Sequence, residues 1–215
     1  MLNTIVKKIS KYVMILPRKL YYMYLRKKLK NTDFTIIAND CFGTFVYHNL
    51  NLKFNTPTIN LFFSHDDFIL FVKNLEGFLS ADLEEDIEIA RKYPVGKLTY
   101  NGDCIRIEFM HYSSFEEARN KWNERKKRVN FSNIFVIQTV HKNIDKNLID
   151  SFQKLPYNNK LLITHENEYV CDCMVTHPVF SKKNYKAGEF LKYKNIFSYK
   201  RYMDDIDYVA FLNQM

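Results

Sequence analysis

Glycine and proline are scarce in this chain, five of each in 215 residues. A β-rich protein built on many tight turns, or a flexible Pro- or Gly-rich linker, would need more, so neither is expected. The glycine-rich phosphate motifs are missing as well: neither GxGxxG nor GxxxxGK[ST] occurs, which excludes a Walker loop and disfavours a nicotinamide dinucleotide. Four cysteines, Cys41, Cys104, Cys171 and Cys173, are too few for a disulfide framework at this length, and no secretory apolar segment ending in small residues is present. A reducing cytoplasm is the expected setting. Cys171-Asp172-Cys173 lacks a second Cys or His pair at ligand spacing, so no metal site is assigned and no cofactor is named. The longest unbroken apolar run of the N-terminal segment, Tyr12 to Leu16, is far short of the roughly 20 residues that cross a bilayer.

What is present is enough apolar material, 47 %, for one sizeable core. We expect a basic amphipathic N-terminal arm over residues 1–30 and a single domain over 31–215. The net charge of +8 belongs to the arm: Lys7, Lys8, Lys11, Arg18, Lys19, Arg26, Lys27, Lys28 and Lys30 are nine positive charges with no acid, which leaves −1 for the remainder. A uniformly basic nucleic-acid surface is therefore not expected. In the arm, Ile5, Ile9, Val13 and Leu16, then Leu20, Tyr21, Tyr24, Leu25 and Leu29, follow helical spacing, with Pro17 kinking or dividing two short helices. Basic residues beside Tyr and Leu suit an anionic membrane surface. A helix pair packed on the domain with a solvated basic face is the alternative.

Beyond the arm, strand-like and helix-like runs alternate. Phe34 to Ala38, Pro57 to Phe63, the alternating "CIRIEFMHY", "NIFVIQTV", "KLLITH" and, more weakly, Val175 to Phe180 read as strands. Between them lie a short helix at Thr44 to Leu50, one at Asp67 to Leu79 capped by Ser64, one capped by Ser114 with Glu117 as capping-box partner, and "NLIDSFQKL"; "DDIDYVAFLNQM" closes the chain. Pro94-Val95-Gly96 is expected to end any regular element. This order predicts an α/β fold: a mixed, mainly parallel sheet with helices on both faces, a Rossmann-like three-layer arrangement. Ligands of such sheets bind beyond the carboxyl ends of the strands, which directs attention to the loop after the first strand.

That loop reads Asn39-Asp40-Cys41-Phe42-Gly43. Gly43 permits a tight turn and close approach of a phosphate, Asn39 and Asp40 cap a helix or contact a sugar hydroxyl, and Cys41 is either a small buried residue or a nucleophile at a helix N-terminus. Asp40, His65 and His111 are the candidate catalytic groups, His65 and His111 by their intrinsic basicity. Asn39, Cys41, Gly43, Trp122, Arg125 and Arg128 are the candidate ligand contacts. Arg125 and Arg128 share one side of a helix and could grip a diphosphate, or be solvated at its C-terminus; Trp122, the only tryptophan, is a sugar platform or a core residue.

The stretches "FTIIANDCFGTFVYHNLNLKFNTPTINLFF", "HYSSFEEARNKWNERKKRVNFSNIFVIQT", "LPYNNKLL" and "DDIDYVAFLN" together resemble a bacterial family of uncharacterised proteins associated with exopolysaccharide or capsule biosynthesis loci. The family pattern Asn-x-Cys-Trp-Gly-Gly stands here as Asn39-Asp40-Cys41-Phe42-Gly43-Thr44, matching at Asn39, Cys41 and Gly43. Val140 follows Thr139 where relatives place Asp, and His111, Tyr112, Trp122, Asn123, Arg125, Lys126 and Arg128 fit the second motif. The resemblance implies an α/β fold and a surface-polysaccharide context, with no mechanism. The expectation is a cytoplasmic protein, peripheral at the inner face of the membrane, that transfers an activated sugar or a sugar-linked phosphate. Its partners would be a nucleotide-sugar or a lipid-linked sugar. A non-catalytic glycan-binding or assembly protein of the same pathway is the competing expectation.

Overall fold

Short runs of β-branched residues and well-placed caps set most of the elements. The computed structural model describes residues 9–10, 12–142 and 144–214. Helix α1 (Ile15–Lys28) follows helical residues that break at Met14, and Pro17 lies in its first turn, where a missing N–H costs little and the ring disturbs the turn before it. Strand β1 (Thr35–Ala38) leads to α2 (Phe42–Asn49), then α3 (His65–Lys73) and α4 (Leu75–Ser80), which divide at Asn74 the helix expected to be continuous. The Ser64 hydroxyl accepts from Asp67 N–H at 3.2 Å, capping α3 as its sequence signal predicts.

Strands β2 (Glu84–Glu85), β3 (Val95–Tyr100) and β4 (Asp103–Glu108) form a separate antiparallel sheet. Val95–Tyr100 corrects the expectation that Pro94-Val95-Gly96 ends regular structure. The signal was the Asn101-Gly102 pair: both residues have positive φ, 51° and 85°, which a two-residue hairpin turn requires. Pro57 to Phe63 is also corrected. It makes one isolated bridge, Phe62 to Glu108, and otherwise runs as a buried segment whose polar groups are met by Thr44, Thr56 and Tyr112 side chains.

Helix α5 (Phe115–Lys126) is capped by Ser114, whose hydroxyl accepts from Glu117 N–H. Glu117 reaches back to Ser113, one residue earlier than a capping box would have it, taking both its N–H and its hydroxyl. Strand β5 (Ile134–Thr139), α6 (Lys146–Gln153), β6 (Lys160–Thr164) and β7 (Met174–Thr176) complete the second sheet, whose order is β1-β5-β6-β7 with every pairing parallel. The run expected as a strand to Phe180 ends at Thr176, because Pro178 opens a 3-10 turn. The chain closes through a 3-10 turn at Tyr202–Asp205 and α7 (Tyr208–Leu212).

Alternation along the parallel strands explains why both their faces are apolar. Ile37, Ile134, Val136 and Leu162 join a core with α3, α4, α5, α6 and the antiparallel sheet, while Ile36, Ala38, Phe135, Ile137 and Ile163 join another with α2, the 3-10 turns and α7. The fold is thus a mixed α/β protein with a four-stranded parallel sheet and a small antiparallel one.

Gly43 is where α2 lies against β1. A Cβ there would stand 3.1 Å from both Ala38 Cβ and Ile36 Cγ2, and both neighbours are fully buried. Gly43→Val is expected to cost about 1–3 kcal/mol of stability through overpacking. It would be read as a lower urea midpoint at unchanged slope; an unaltered midpoint would show that α2 can lift from the strand.

Candidate active site at the ends of the parallel strands

The carboxyl end of β1 is tied to that of β5 by one side chain. Asn39 donates through Nδ2 to the Thr139 carbonyl at 3.1 Å and accepts from Thr139 N–H at 2.8 Å, while its own carbonyl accepts from Phe63 N–H at 2.9 Å. Asn39 is completely buried, so its amide is a structural clamp behind the site. It positions Asp40, whose Oδ1 accepts from Phe42 N–H at 2.8 Å.

Asp40 and Cys41 line a cleft of about 410 Å³, a size that suits a small ligand. Phe45, Leu61, Phe62 and Phe190 supply apolar wall, and His111, Thr139, His141, Tyr185, Lys192 and Arg201 bring polar groups to it. Burial raises the Asp40 carboxyl to about 6, against the opposing effects of the Phe42 N–H and the nearby Thr139 hydroxyl. That hydroxyl is buried and has no hydrogen-bond partner of ordinary geometry. Tyr185 is pushed up by burial and then by the Asp40 charge, so it stays a neutral phenol beside the carboxylate. Its ring lies 5.0 Å from that of His141. His141 is lowered by burial and by Lys142 and His165, which keeps its imidazole neutral. Burial, with Asp40 second, pushes the Cys41 thiol up to about 12, so Cys41 lines the cleft as a thiol and not as an activated thiolate.

Arg201 is the cleft's distinctive cation. Its Nη1 donates to the Leu191 carbonyl at 2.5 Å, and its guanidinium lies 4.2 Å from the Tyr193 ring centroid and 4.7 Å from that of Phe45. Its Nε is buried without a partner. A planar, permanently charged fork at the cleft wall suits a carboxylate or phosphate oxygen.

The structure brings Asp40, Cys41 and His111 to one cleft, and puts other expected site residues elsewhere. His65 begins α3 outside the lining; its carbonyl accepts from Gln138 Nε2 at 3.4 Å, and its imidazole is lowered by burial first and His141 second. Gly43 packs α2 on β1, as described above. Trp122 is 1 % exposed, in contact with Phe71 and Phe109, so its ring is core and offers no platform to a sugar. Arg125 donates to the Tyr112 hydroxyl at 2.7 Å, and Arg128 donates to the Phe54 carbonyl at 3.2 Å and pairs with Glu124. Arg128 thus ties down the segment between α2 and α3 and Arg125 the loop before α5, and neither lines the cleft. Phe42, standing at the tryptophan position of the resembled pattern, is likewise core, stacked 5.9 Å from Phe190.

His141, Tyr185, Lys192 and Arg201 were not anticipated. His141 was within reach of a sequence reading, two residues past the Thr139 loop end; the other three lie in a stretch without periodicity and carry no such signal. Among the described residues, no three His, Cys, Asp or Glu side chains gather closely enough to hold a metal ion. Cys171 and Cys173 hydrogen-bond to each other, with sulfurs 3.2 Å apart.

Fold and cleft together define an α/β protein with a ligand-sized cavity beyond the carboxyl ends of parallel strands. Residues 13–213 match the family described as Domain of unknown function (DUF1919), and the chain belongs to that family. It is also similar to an uncharacterized protein of Haemophilus influenzae, 33 % identical over 189 residues that span 88 % of each chain. Membership covers the sheet, the cleft and helix α1 alike and assigns no chemistry to them.

The raised carboxyl gives a stability test. An unfolded aspartate titrates at about pH 4, whereas Asp40 keeps its proton to about 6. Stability therefore falls as pH rises through that window, and the cost persists above it. Asp40→Asn retains the acceptor for Phe42 N–H and cannot ionise. It is expected to exceed the wild type by on the order of 1–3 kcal/mol at pH 7.5 and to match it near pH 3.5. Thermal unfolding across pH measures this; equal melting at both pH values would remove the desolvated carboxylate.

Proposed function

We propose that the protein is a transferase acting on an activated sugar or a sugar-linked phosphate in cell-surface polysaccharide synthesis. One observation carries the reading: the same cleft is lined by a carboxyl poised near neutral pH and by a permanently charged guanidinium. Asp40 is the general base that takes a proton from an acceptor hydroxyl, since a base with a value near the working pH combines availability with driving force. Tyr185, held neutral beside it, donates a hydrogen bond to the same substrate. Arg201 and Lys192 neutralise the phosphate oxygens of donor or product, the role for which a preorganised cation in a partly dry site is most effective. His111 borders the cleft where it can assist proton transfer to the leaving group. The partly exposed rings of Phe45 and Phe62 suit the apolar face of a sugar ring.

In this reading the layers on both sides of the parallel sheet are a Rossmann-like arrangement, and the cleft occupies the edge at which such sheets bind ligands. Placement at the inner face of the membrane is part of the proposal. Among the described residues no helix is long and apolar enough to cross a membrane. The competing reading is a glycan-binding or assembly protein. The largely apolar wall of the cleft favours it, because stacking on aromatic rings retains a sugar without any reaction.

A thermal-shift series with UDP-, GDP- and CDP-linked sugars, with and without magnesium or manganese, separates the two. The expected outcome is concentration-dependent stabilisation by one nucleotide class, since a ligand that binds only the folded state raises its melting temperature. Arg201→Gln should weaken that ligand by about tenfold or more, as loss of a charge-assisted hydrogen bond does. Asp40→Asn should bind it and lower turnover by about 10²–10⁴-fold. Binding with no turnover in any acceptor assay would select the binding protein, and no stabilisation by any donor would sink the transferase.

A further inference from the structure

Helix α1 turns one side to the protein and leaves another bare. On the inward side, Tyr22 donates to Asp204 Oδ2 at 3.0 Å and Arg18 Nε donates to the Ser198 carbonyl at 3.1 Å. The Arg18 guanidinium lies 3.6 Å from the Tyr193 ring centroid, and Tyr21 and Tyr199 rings meet at 5.2 Å. On the outward side, Leu16, Leu20 and Met23 follow one another at four- and three-residue spacing, which places them in one stripe. They are 61, 54 and 47 % exposed, and Ile9, Tyr12 and Val13 extend the bare apolar surface toward the N-terminus. Apolar residues exposed singly are ordinary, whereas a continuous row along one helix marks a contact surface.

Beside the stripe is a groove of about 650 Å³ between α1 and the end of α2. Arg18, Lys19, Arg26, Lys27 and Arg201 line it together with His48, and no carboxylate does. Among the described residues none of these five cations has a carboxylate within ion-pair distance. Cations gathered in this way repel one another, and an external anion relieves the repulsion.

We propose that α1 docks the protein on an anionic phospholipid bilayer, with the apolar stripe at the boundary of headgroups and acyl chains and lipid phosphates in the basic groove. The pairing of an aliphatic and aromatic face with flanking Lys and Arg, in a segment whose first 30 residues hold no acid, is complementary to that surface. A second copy of the chain would present the same cations to one another, and a nucleic acid would leave the aliphatic row in water. Arg201 lines this groove and the Asp40 cleft, so a lipid headgroup in the groove abuts the cleft. The docking itself does not depend on what the cleft does.

Sedimentation of the full chain with vesicles tests it, using phosphatidylcholine alone and phosphatidylcholine with about a third phosphatidylglycerol, a fraction chosen to make the surface anionic. The expected result is binding to the anionic vesicles only, falling as salt is raised. Lys19→Ala with Arg26→Ala should weaken it about thirtyfold, given the usual contribution of a basic residue near such a surface. Leu16→Glu with Leu20→Glu should weaken it by about tenfold or more, since both the apolar burial and the charge balance are lost. Both pairs lie at the surface, and unchanged melting curves would confirm that they fold. Equal binding to both vesicle types, no binding to either, or variants that sediment like the wild type would overturn the proposal. So would a wild-type dimer that Leu20→Glu converts to a monomer, which would assign the stripe to a second copy.

Discussion

Much of this structure depends on a single buried amide. Asn39 satisfies both main-chain groups of Thr139 and, through its own carbonyl, the N–H of Phe63. Three segments distant in sequence, the ends of β1 and β5 and the return leading into α3, are thereby held at one point. Buried main-chain groups left unpaired are costly, so the clamp fixes these segments more firmly than apolar packing would. The floor of the cleft, Asp40 with Thr139, is a direct consequence.

The same burial that makes the clamp effective tunes the groups beside it. Asp40 is raised and His65 and His141 are lowered, each chiefly by loss of water around the charged form. Charge among neighbours works in the same direction, with Tyr185 and Cys41 held protonated next to Asp40 and the histidines discouraging one another. The result is a site in which the tyrosine, the thiol and His141 are held uncharged, while Asp40 gains its charge only near pH 6 and Arg201 supplies a fixed positive charge.

Arginine residues in this protein divide by environment and not by type. Arg125 and Arg128 stood out in sequence because they sit in a run of basic residues, yet each is used on main-chain or side-chain oxygens of a loop. Arg201 has no such context in the sequence and packs between Tyr193 and Phe45, with one donor left over. Trp122 shows the same thing for aromatics: a lone tryptophan on a very polar helix proved to be the residue that fastens the helix to the core. Density of a residue type along the chain reports solvation, whereas a binding role depends on which oxygens and rings surround the side chain once folded.

The sequence by itself determined the local elements whose signals are contained in a few residues. The capped starts of α3 and α5, the β-branched strands β1, β5 and β6, the break around Pro17 and the excess of charge in the arm are all of this kind. The Asn101-Gly102 hairpin belongs with them, since its turn chemistry is written in two residues. Tertiary structure alone decided that Pro57 to Phe63 would be a buried connection, because its polar groups are satisfied by side chains from elsewhere in the chain instead of by a strand partner. It also decided the composition of the cleft. Asp40, His111 and His141 come from three separate loops, Tyr185 and Arg201 from the long stretch after β7, and no periodicity or spacing records which of these a sheet will gather at one edge.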